Sequence, residues 1–219
     1  MRNMERAAGA LFFVSTSAFL VGSGILEPIL GRADLLTSVG SDRMSVYAGV
    51  FLELLNAIAV VGIALVLQPI LRKYHEAYAY GYFASRVMES ALLMVSVAGP
   101  LVLLALSEQA GSAGASGSGD ASLQALGNMA VEAHYLLFDM AMLVLSIGSL
   151  LLCAILYRAR LVPRWLSIVG MIGYMCLLVS SSLSIAGTDV GELLYIPGAI
   201  FEIAFPLWLI VKGFRQAQT

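Results

Sequence analysis

The hydrophobic positions of this sequence fall into long runs that are separated by short polar segments. Apolar runs of about 20 residues are long enough to cross a bilayer as helices. Backbone polar groups in lipid must be hydrogen-bonded within their own segment, so helix is the expected form. We predict an all-α polytopic membrane protein, a six-transmembrane-helix bundle forming a single transmembrane domain over 1–219. The predicted spans are about 7–30, 46–71, 79–106, 128–157, 165–186 and 193–212.

The composition also indicates an integral membrane protein. The 219 residues are 60% hydrophobic and 12% charged, with a mean hydropathy of +0.90. Average soluble domains carry about 25% charged residues. The apolar run from Ala7 begins like a signal peptide, but it is too long and lacks a convincing cleavage site, so we expect it to be retained as the first span. The expected partner is the lipid bilayer, and no nucleic acid is expected.

The distribution of Lys and Arg predicts the orientation, because cytoplasmic loops carry an excess of basic residues. With the N-terminus inside, the outer segments hold only Arg32 and Arg43. Both termini are therefore predicted to be cytoplasmic. The basic residues of the inner segments are Arg2, Arg6, Arg72, Lys73, Arg158, Arg160, Arg164, Lys212 and Arg215.

Two local features modify this simple picture. The segment 107–127 contains no Lys or Arg and is rich in Gly and Ser, which is typical of a flexible external loop. Pro100 lies inside the third span and is expected to kink its helix, because proline cannot donate a backbone hydrogen bond.

Ionisable residues inside the spans are the candidate functional groups. Such residues are costly at membrane depth and usually face the bundle interior or a wet cavity. The stretch 132–139 brings a glutamate, a histidine and an aspartate into the fourth span. Residues three apart share a helix face, which groups polar residues on the second and third spans as well. The predicted ligand-binding set is Glu53, Asn56, Arg86, Glu89, His134, Tyr135, Asp139 and Glu202.

Arg86 is the one arginine within the predicted spans. We expect its charge to be neutralised by at least one of Glu53, Glu89 and Asp139, most simply by Glu89 one turn away. One arginine cannot neutralise several carboxylates, so the surplus acids must hold protons or a cation.

Asp139 lies about 15 Å into the fourth span at 1.5 Å per residue, which places it near mid-membrane. An aspartate there cannot face lipid cheaply. We therefore expect it to point toward the second, third or sixth span, where it can meet Asn56, Arg86 or Glu202.

These residues support several functional hypotheses. The leading one is binding or transport of a small molecule or cation through an acid-rich polar chamber in the outer half of the bundle. One alternative is an intramembrane enzyme, with or without a metal ion, that uses Asp139, His134 and Glu89 as acid, base or metal ligands. Another is a non-catalytic accessory subunit, and the buried groups can also be purely structural ion pairs. The sequence assigns no catalytic residue, metal ion, cofactor or oligomeric state.

Short motifs recur along nearly the whole chain, at 24–28, 82–89, 134–139, 156–166, 195–202 and 206–212. In their order and spacing they resemble the motifs of a known family of bacterial six-helix membrane proteins, the domain-of-unknown-function 4386 family. The resemblance implies a six-helix fold in the bacterial inner (cytoplasmic) membrane, and it implies no activity.

Overall fold

The computed structural model describes residues 2–112, 119–188 and 192–215. All regular structure in these three ranges is helical. The helices are α1 Arg2–Leu30, α2 Leu35–Ser41, α3 Arg43–Leu71, α4 Glu76–Ser96, α5 Ala98–Ser112, α6 Gly119–Arg158, α7 Arg164–Ile185 and α8 Ile196–Val211, with a 3-10 turn at Glu192–Tyr195 before α8.

Within the described residues, five stretches are long and apolar enough to cross a membrane. The shorter apolar helix α8 adds a sixth element. Large apolar side chains are exposed on these helices, for example Leu20, Ile58 and Leu65, each at about 60% exposure. Such side chains are expected where a helix faces lipid instead of water. The predicted all-α polytopic membrane bundle is therefore confirmed. The five stretches are Arg2–Leu30, Arg43–Leu71, Glu76–Gly111, Ala121–Arg158 and Arg164–Ile185.

The long helices close into a ring around a common interior. Helix α1 packs against α3, α3 against α4, and α4 against α6. The ring continues from α6 to α7 and from α7 to α8, and α8 returns to α1. Polar side chains that point inward from any of these helices can therefore meet in one place.

The predicted third span is interrupted at Val97, which separates α4 from α5. Pro100 explains the position of this break. It has no N–H to donate to the carbonyl of Ser96, the acceptor one turn earlier, and its ring crowds that carbonyl. The polypeptide continues as α5 after the interruption, so α4 and α5 together replace the single kinked helix that the sequence suggested.

The prediction of a flexible loop over 107–127 is wrong for most of its length. Residues 107–112 belong to α5 and residues 119–127 belong to α6, whereas 113–118 lie outside the described residues. Tertiary contacts hold the helical part of this segment. Ser107 donates a hydrogen bond to the carbonyl of Leu36 at 2.5 Å, and Glu108 forms an ion pair with Arg43.

These contacts lie beside an apolar cluster at the end of the bundle that carries α2. Leu35, Leu36 and Val39 of α2 pack there with Leu103 and Leu104 of α5. Helix α6 has 40 residues, about 60 Å, and so extends well beyond a hydrocarbon core of about 30 Å. The composition of 107–127 is that of a linker, but packing against α2 stabilises the described parts, 107–112 and 119–127, as helix.

Helices α7 and α8 approach each other closely at a pair of glycines. A Cβ atom added at Gly173 would lie 2.6 Å from the Cα of Gly198, which is too close for any real contact. Gly173→Ala is expected to lower the free energy of unfolding by about 1 to 2 kcal/mol, because the backbones must separate. Gly24→Ala is the matched control, since nothing lies within 4 Å of its added Cβ.

The measurement for this pair is thermal unfolding of both variants in detergent. Gly24→Ala is expected to leave the midpoint unchanged or to raise it slightly, because alanine favours helix over glycine by up to about 1 kcal/mol. Equal midpoints for the two variants would contradict the close packing of α7 on α8.

Candidate functional site

The ring of helices borders a cavity of about 250 Å³. We call it the chamber. Its apolar walls include Phe12, Leu145 and Leu177. Its polar lining comes from α1, α3, α4, α7, α8 and the 3-10 turn before α8, and consists of Ser15, Thr16, Asn56, Arg86, Glu89, Tyr174, Tyr195 and Glu202.

Arg86 and Glu89 form a salt bridge in the chamber wall. The Nη1 atom of Arg86 donates to Oε2 of Glu89 at 2.8 Å, and both side chains are about 95% buried. The expectation that Glu89 neutralises Arg86 is confirmed. The two residues are three apart on α4, so the helix itself brings them together.

Two hydrogen-bond donors beside the salt bridge have no partner within the part of the chain that the structure describes. Among the described residues, neither the Nε atom of Arg86 nor the hydroxyl of Tyr82 has a hydrogen-bond partner. The guanidinium carbon of Arg86 lies 5.9 Å from the centre of the Tyr82 ring, a distance suited to a cation–π contact. An unpaired buried donor is costly, so the hydrogen bonds of this polar cluster are incomplete beside the salt bridge.

Four further polar side chains of the chamber pair across helices. The hydroxyl of Tyr174 on α7 donates to Oε1 of Glu202 on α8 at 3.3 Å. Ser15 on α1 donates to Oδ1 of Asn56 on α3 at 2.6 Å. Two helix pairs, α7 with α8 and α1 with α3, are thus joined around one space. The described lining carries two carboxylates against one guanidinium.

His134 is buried away from the chamber lining. Its Nδ1 atom lies 2.9 Å from the carbonyl oxygen of Ser96, the carbonyl that Pro100 leaves without its helical partner. A carbonyl only accepts hydrogen bonds, so Nδ1 carries the proton in this contact. Gly99 allows the close approach, because an added Cβ there would lie 2.8 Å from the Cβ of His134. The geometry gives His134 a capping role at the break between α4 and α5.

Asp139 does not meet Asn56, Arg86 or Glu202, and the prediction of its direction is wrong. Its Oδ2 atom accepts a hydrogen bond from Ser184 on α7 at 2.5 Å. The side of α6 that lines the chamber is formed by Phe138, Met142 and Leu145. Asp139 lies about 100° around the helix from Phe138, which directs it to α7.

Glu53 and Tyr135 lie outside the chamber lining as well. Glu53 is half-buried and lies close enough to Glu27 for the two carboxyl groups to interact electrostatically. Tyr135 is 38% exposed, interacts with the same two glutamates, and makes an edge contact with the His134 ring at 5.3 Å between centroids. The predicted set is therefore divided between the chamber and a separate group nearer the α2 end.

The arrangement does not assemble the residues of the enzyme alternative. Glu89 is held by Arg86, His134 by the Ser96 carbonyl and Asp139 by Ser184. In the described part of the chain, no group of three or more His, Cys, Asp or Glu side chains could hold a metal ion.

Several chamber residues were not in the predicted set. Ser15 and Tyr174 carry no charge, so a search for ionisable residues in the spans passes over them. Phe19 and Phe138 also line the chamber and stack at 5.5 Å between centroids, although each looks like an ordinary lipid-facing aromatic in the sequence. Only the ring closure of the helices reveals that these side chains share a space.

The fold and the chamber define a multi-pass α-helical membrane protein with a polar cavity inside its bundle. The model of the family described as Domain of unknown function (DUF4386) matches residues 7–213, and the chain belongs to this family. No curated protein and no solved structure matches the chain.

The position of Asp139 leads to a specific expectation. Asp139→Asn should change the free energy of unfolding by less than about 1 kcal/mol, because the amide oxygen still accepts from Ser184. Asp139→Leu is the comparison, since it removes the acceptor and should cost more. Melting of both variants in detergent checks this, and a drop of several kcal/mol for Asp139→Asn would show that its charge is needed.

Proposed function

We propose that the protein binds or transports a small molecule or cation, and that the chamber is the binding site. The observation that carries this proposal is the cavity of about 250 Å³ lined by Asn56, Arg86, Glu89 and Glu202. Small-molecule sites are typically concave, mostly apolar and supplied with a few convergent polar groups. The chamber has these three properties.

The charge balance supports binding over a purely structural role. A buried ion pair such as Arg86–Glu89 is by itself weak evidence of either stability or function, because well-packed apolar residues often serve stability equally well. Here the pair borders open space that contains a further carboxyl group, that of Glu202. The direct contacts of the proposed site are therefore Asn56, Arg86, Glu89 and Glu202, whereas Glu53, His134, Tyr135 and Asp139 lie around it.

The test is thermal unfolding of the purified protein against a panel of solutes: potassium, ammonium, primary amines and small neutral polar molecules. A ligand that binds only the folded state raises its apparent stability. Thr16→Trp places a large ring in the chamber, whereas Thr37→Trp makes the same exchange at an exposed position of α2.

The expected result is a solute that raises the midpoint of the wild type and of Thr37→Trp but not that of Thr16→Trp. A panel without any effect on the wild type would contradict the proposed binding. A shift that survives in Thr16→Trp would place the binding elsewhere.

We also propose that the protein resides in the inner membrane of a bacterium, with both termini cytoplasmic and the α2 end outside. The distribution of basic residues and the family resemblance support this orientation. Reporter fusions after Gly114 and after Thr219 are expected to report opposite sides of the membrane. The same side for both fusions would contradict the arrangement of six spans.

A further inference from the structure

We infer that the ligand of the chamber is an amphiphile with a protonated amine head and a single apolar chain, which enters sideways from the bilayer between α1 and α8. This inference rests on the proposed function and specifies the chemical class of its ligand.

The first support is a side opening, which we define by Thr16 and Leu20 of α1 and by Ala199 and Ile203 of α8. All four residues line the chamber. Leu20 is nevertheless 62% exposed and Ile203 56% exposed, and Ala199 is exposed as well. Residues that belong both to a cavity wall and to the outer surface mark the place where the cavity reaches that surface.

The packing of α1 on α8 explains why the opening lies where it does. Toward the ends of the chain, a Cβ added at Gly9 would lie 2.8 Å from the carbonyl oxygen of Pro206 and 2.6 Å from Ile210. Phe12 and Phe205 follow with an edge contact at 5.6 Å between centroids. On the other side of these contacts, no described glycine of α1 approaches α8 as closely as Gly9 does, and the chamber begins there.

The opening lies at the depth of the hydrocarbon. Leu20 is about 15 Å from the end of α1 at Leu30, and Ile203 is about 10 Å from the start of α8 at Ile196. A hydrocarbon core is about 30 Å thick. A molecule that passes between Leu20 and Ile203 therefore comes from lipid, which favours a ligand with an apolar chain.

The interior beside the opening suits such a chain. Phe19 and Phe138 stack nearly parallel, with 4° between their planes, and both line the chamber. Drug-sized sites commonly measure about 300 to 1,000 Å³. At about 250 Å³ the chamber suits a small head and part of one chain rather than the head of a two-chain lipid.

The polar end of the chamber selects the charge of the head. Its described lining holds Glu89 and Glu202 against Arg86, and Arg86 already pairs with Glu89. A protonated amine would complete the charge balance beside Glu202, whereas a carboxylate or phosphate head would add a like charge to buried acids.

The experiment uses the full-length protein in phosphatidylcholine vesicles and a long-chain primary amine that carries a photoreactive diazirine on its chain. Labelled peptides are mapped by mass spectrometry, and dodecylamine, dodecanol, laurate and methylamine are tested as competitors. We expect saturable labelling of α1 and α8 around the side opening. Dodecylamine should compete at concentrations at least about tenfold lower than dodecanol or laurate, and methylamine should not compete.

Three variants sharpen the test. Leu20→Trp narrows the side opening and is expected to reduce saturable labelling at least about tenfold. Leu65→Trp makes the same exchange at a residue that is 58% exposed on α3 and should label like the wild type. Glu202→Gln should weaken competition by dodecylamine at least about tenfold and leave dodecanol unchanged. Unfolding midpoints verify that each variant folds, and Ile203→Trp replaces Leu20→Trp if that variant does not.

Each contrary outcome has a distinct meaning. Equal competition by dodecanol overturns the amine head, and unchanged labelling in Leu20→Trp and Ile203→Trp overturns the sideways entry. Competition by methylamine as strong as that by dodecylamine overturns the amphiphile but leaves the proposed function intact. Absence of saturable labelling overturns the inference, and the proposed function falls only if the solute panel also fails to stabilise the wild type.

Discussion

Replacing Arg86 by leucine is expected to lower the free energy of unfolding by about 3 to 5 kcal/mol. The reason is the environment of Glu89, whose side chain is 3% exposed and whose salt-bridge partner is Arg86 at 2.8 Å. Without Arg86 this carboxylate must remain buried as an uncompensated charge or take up a proton, and both cost free energy. Chemical or thermal unfolding in detergent measures the loss.

The double variant Arg86→Leu with Glu89→Leu provides the decisive comparison. It is expected to recover most of the lost stability, because replacing both partners of a buried ion pair by apolar residues is often nearly neutral. Arg32→Leu is the control for an exposed pair, since Arg32 and Asp42 lie 2.7 Å apart with side chains 45% and 35% exposed. That variant should lose less than about 1 kcal/mol.

The same double variant separates a structural pair from a functional one. If the chamber binds its ligand through Arg86 and Glu89, the stable double variant should no longer respond to the stabilising solute. A double variant that is stable and still binds would show that the pair only joins parts of α4. A double variant as unstable as Arg86→Leu would contradict the assumption that desolvated charge causes the loss.

Replacing His134 by alanine is expected to cost about 3 kcal/mol. The Ser96 carbonyl would lose the donor that lies 2.9 Å away, which costs about 1 to 3 kcal/mol for a buried acceptor, and the packing of the imidazole ring would be lost as well. Far-ultraviolet circular dichroism during heating in detergent would report the lower midpoint.

Pro100→Ala in the background of His134→Ala tests the physical cause. Alanine supplies the backbone N–H that proline lacks, so the Ser96 carbonyl regains a helical partner. The double variant is expected to be more stable than His134→Ala alone. If Pro100→Ala does not raise the unfolding midpoint of His134→Ala, the loss of the hydrogen bond to the Ser96 carbonyl is not the cause of the lower stability.

The part of the candidate site that lies on a single helix could be predicted from the sequence. Arg86 and Glu89 are three residues apart on one helix, so their pairing depends on helical geometry alone and was predictable. The apolar runs likewise determined the helical class of the fold, since lipid requires each spanning segment to satisfy its own backbone. Pro100 predicted a kink in the third span for a similarly local reason, and the structure has an interruption at Val97 instead.

Contacts between helices were decided only by the tertiary structure. Asp139 could meet any neighbour of α6, and the packing of that helix directed it to Ser184. His134 acquired its role because α6 passes the Ser96 carbonyl at Gly99. The segment 107–112 became helix because α2 packs against it. Spacing along the sequence fixes which residues share one helix face, but the direction in which that face points depends on how the helices pack around it.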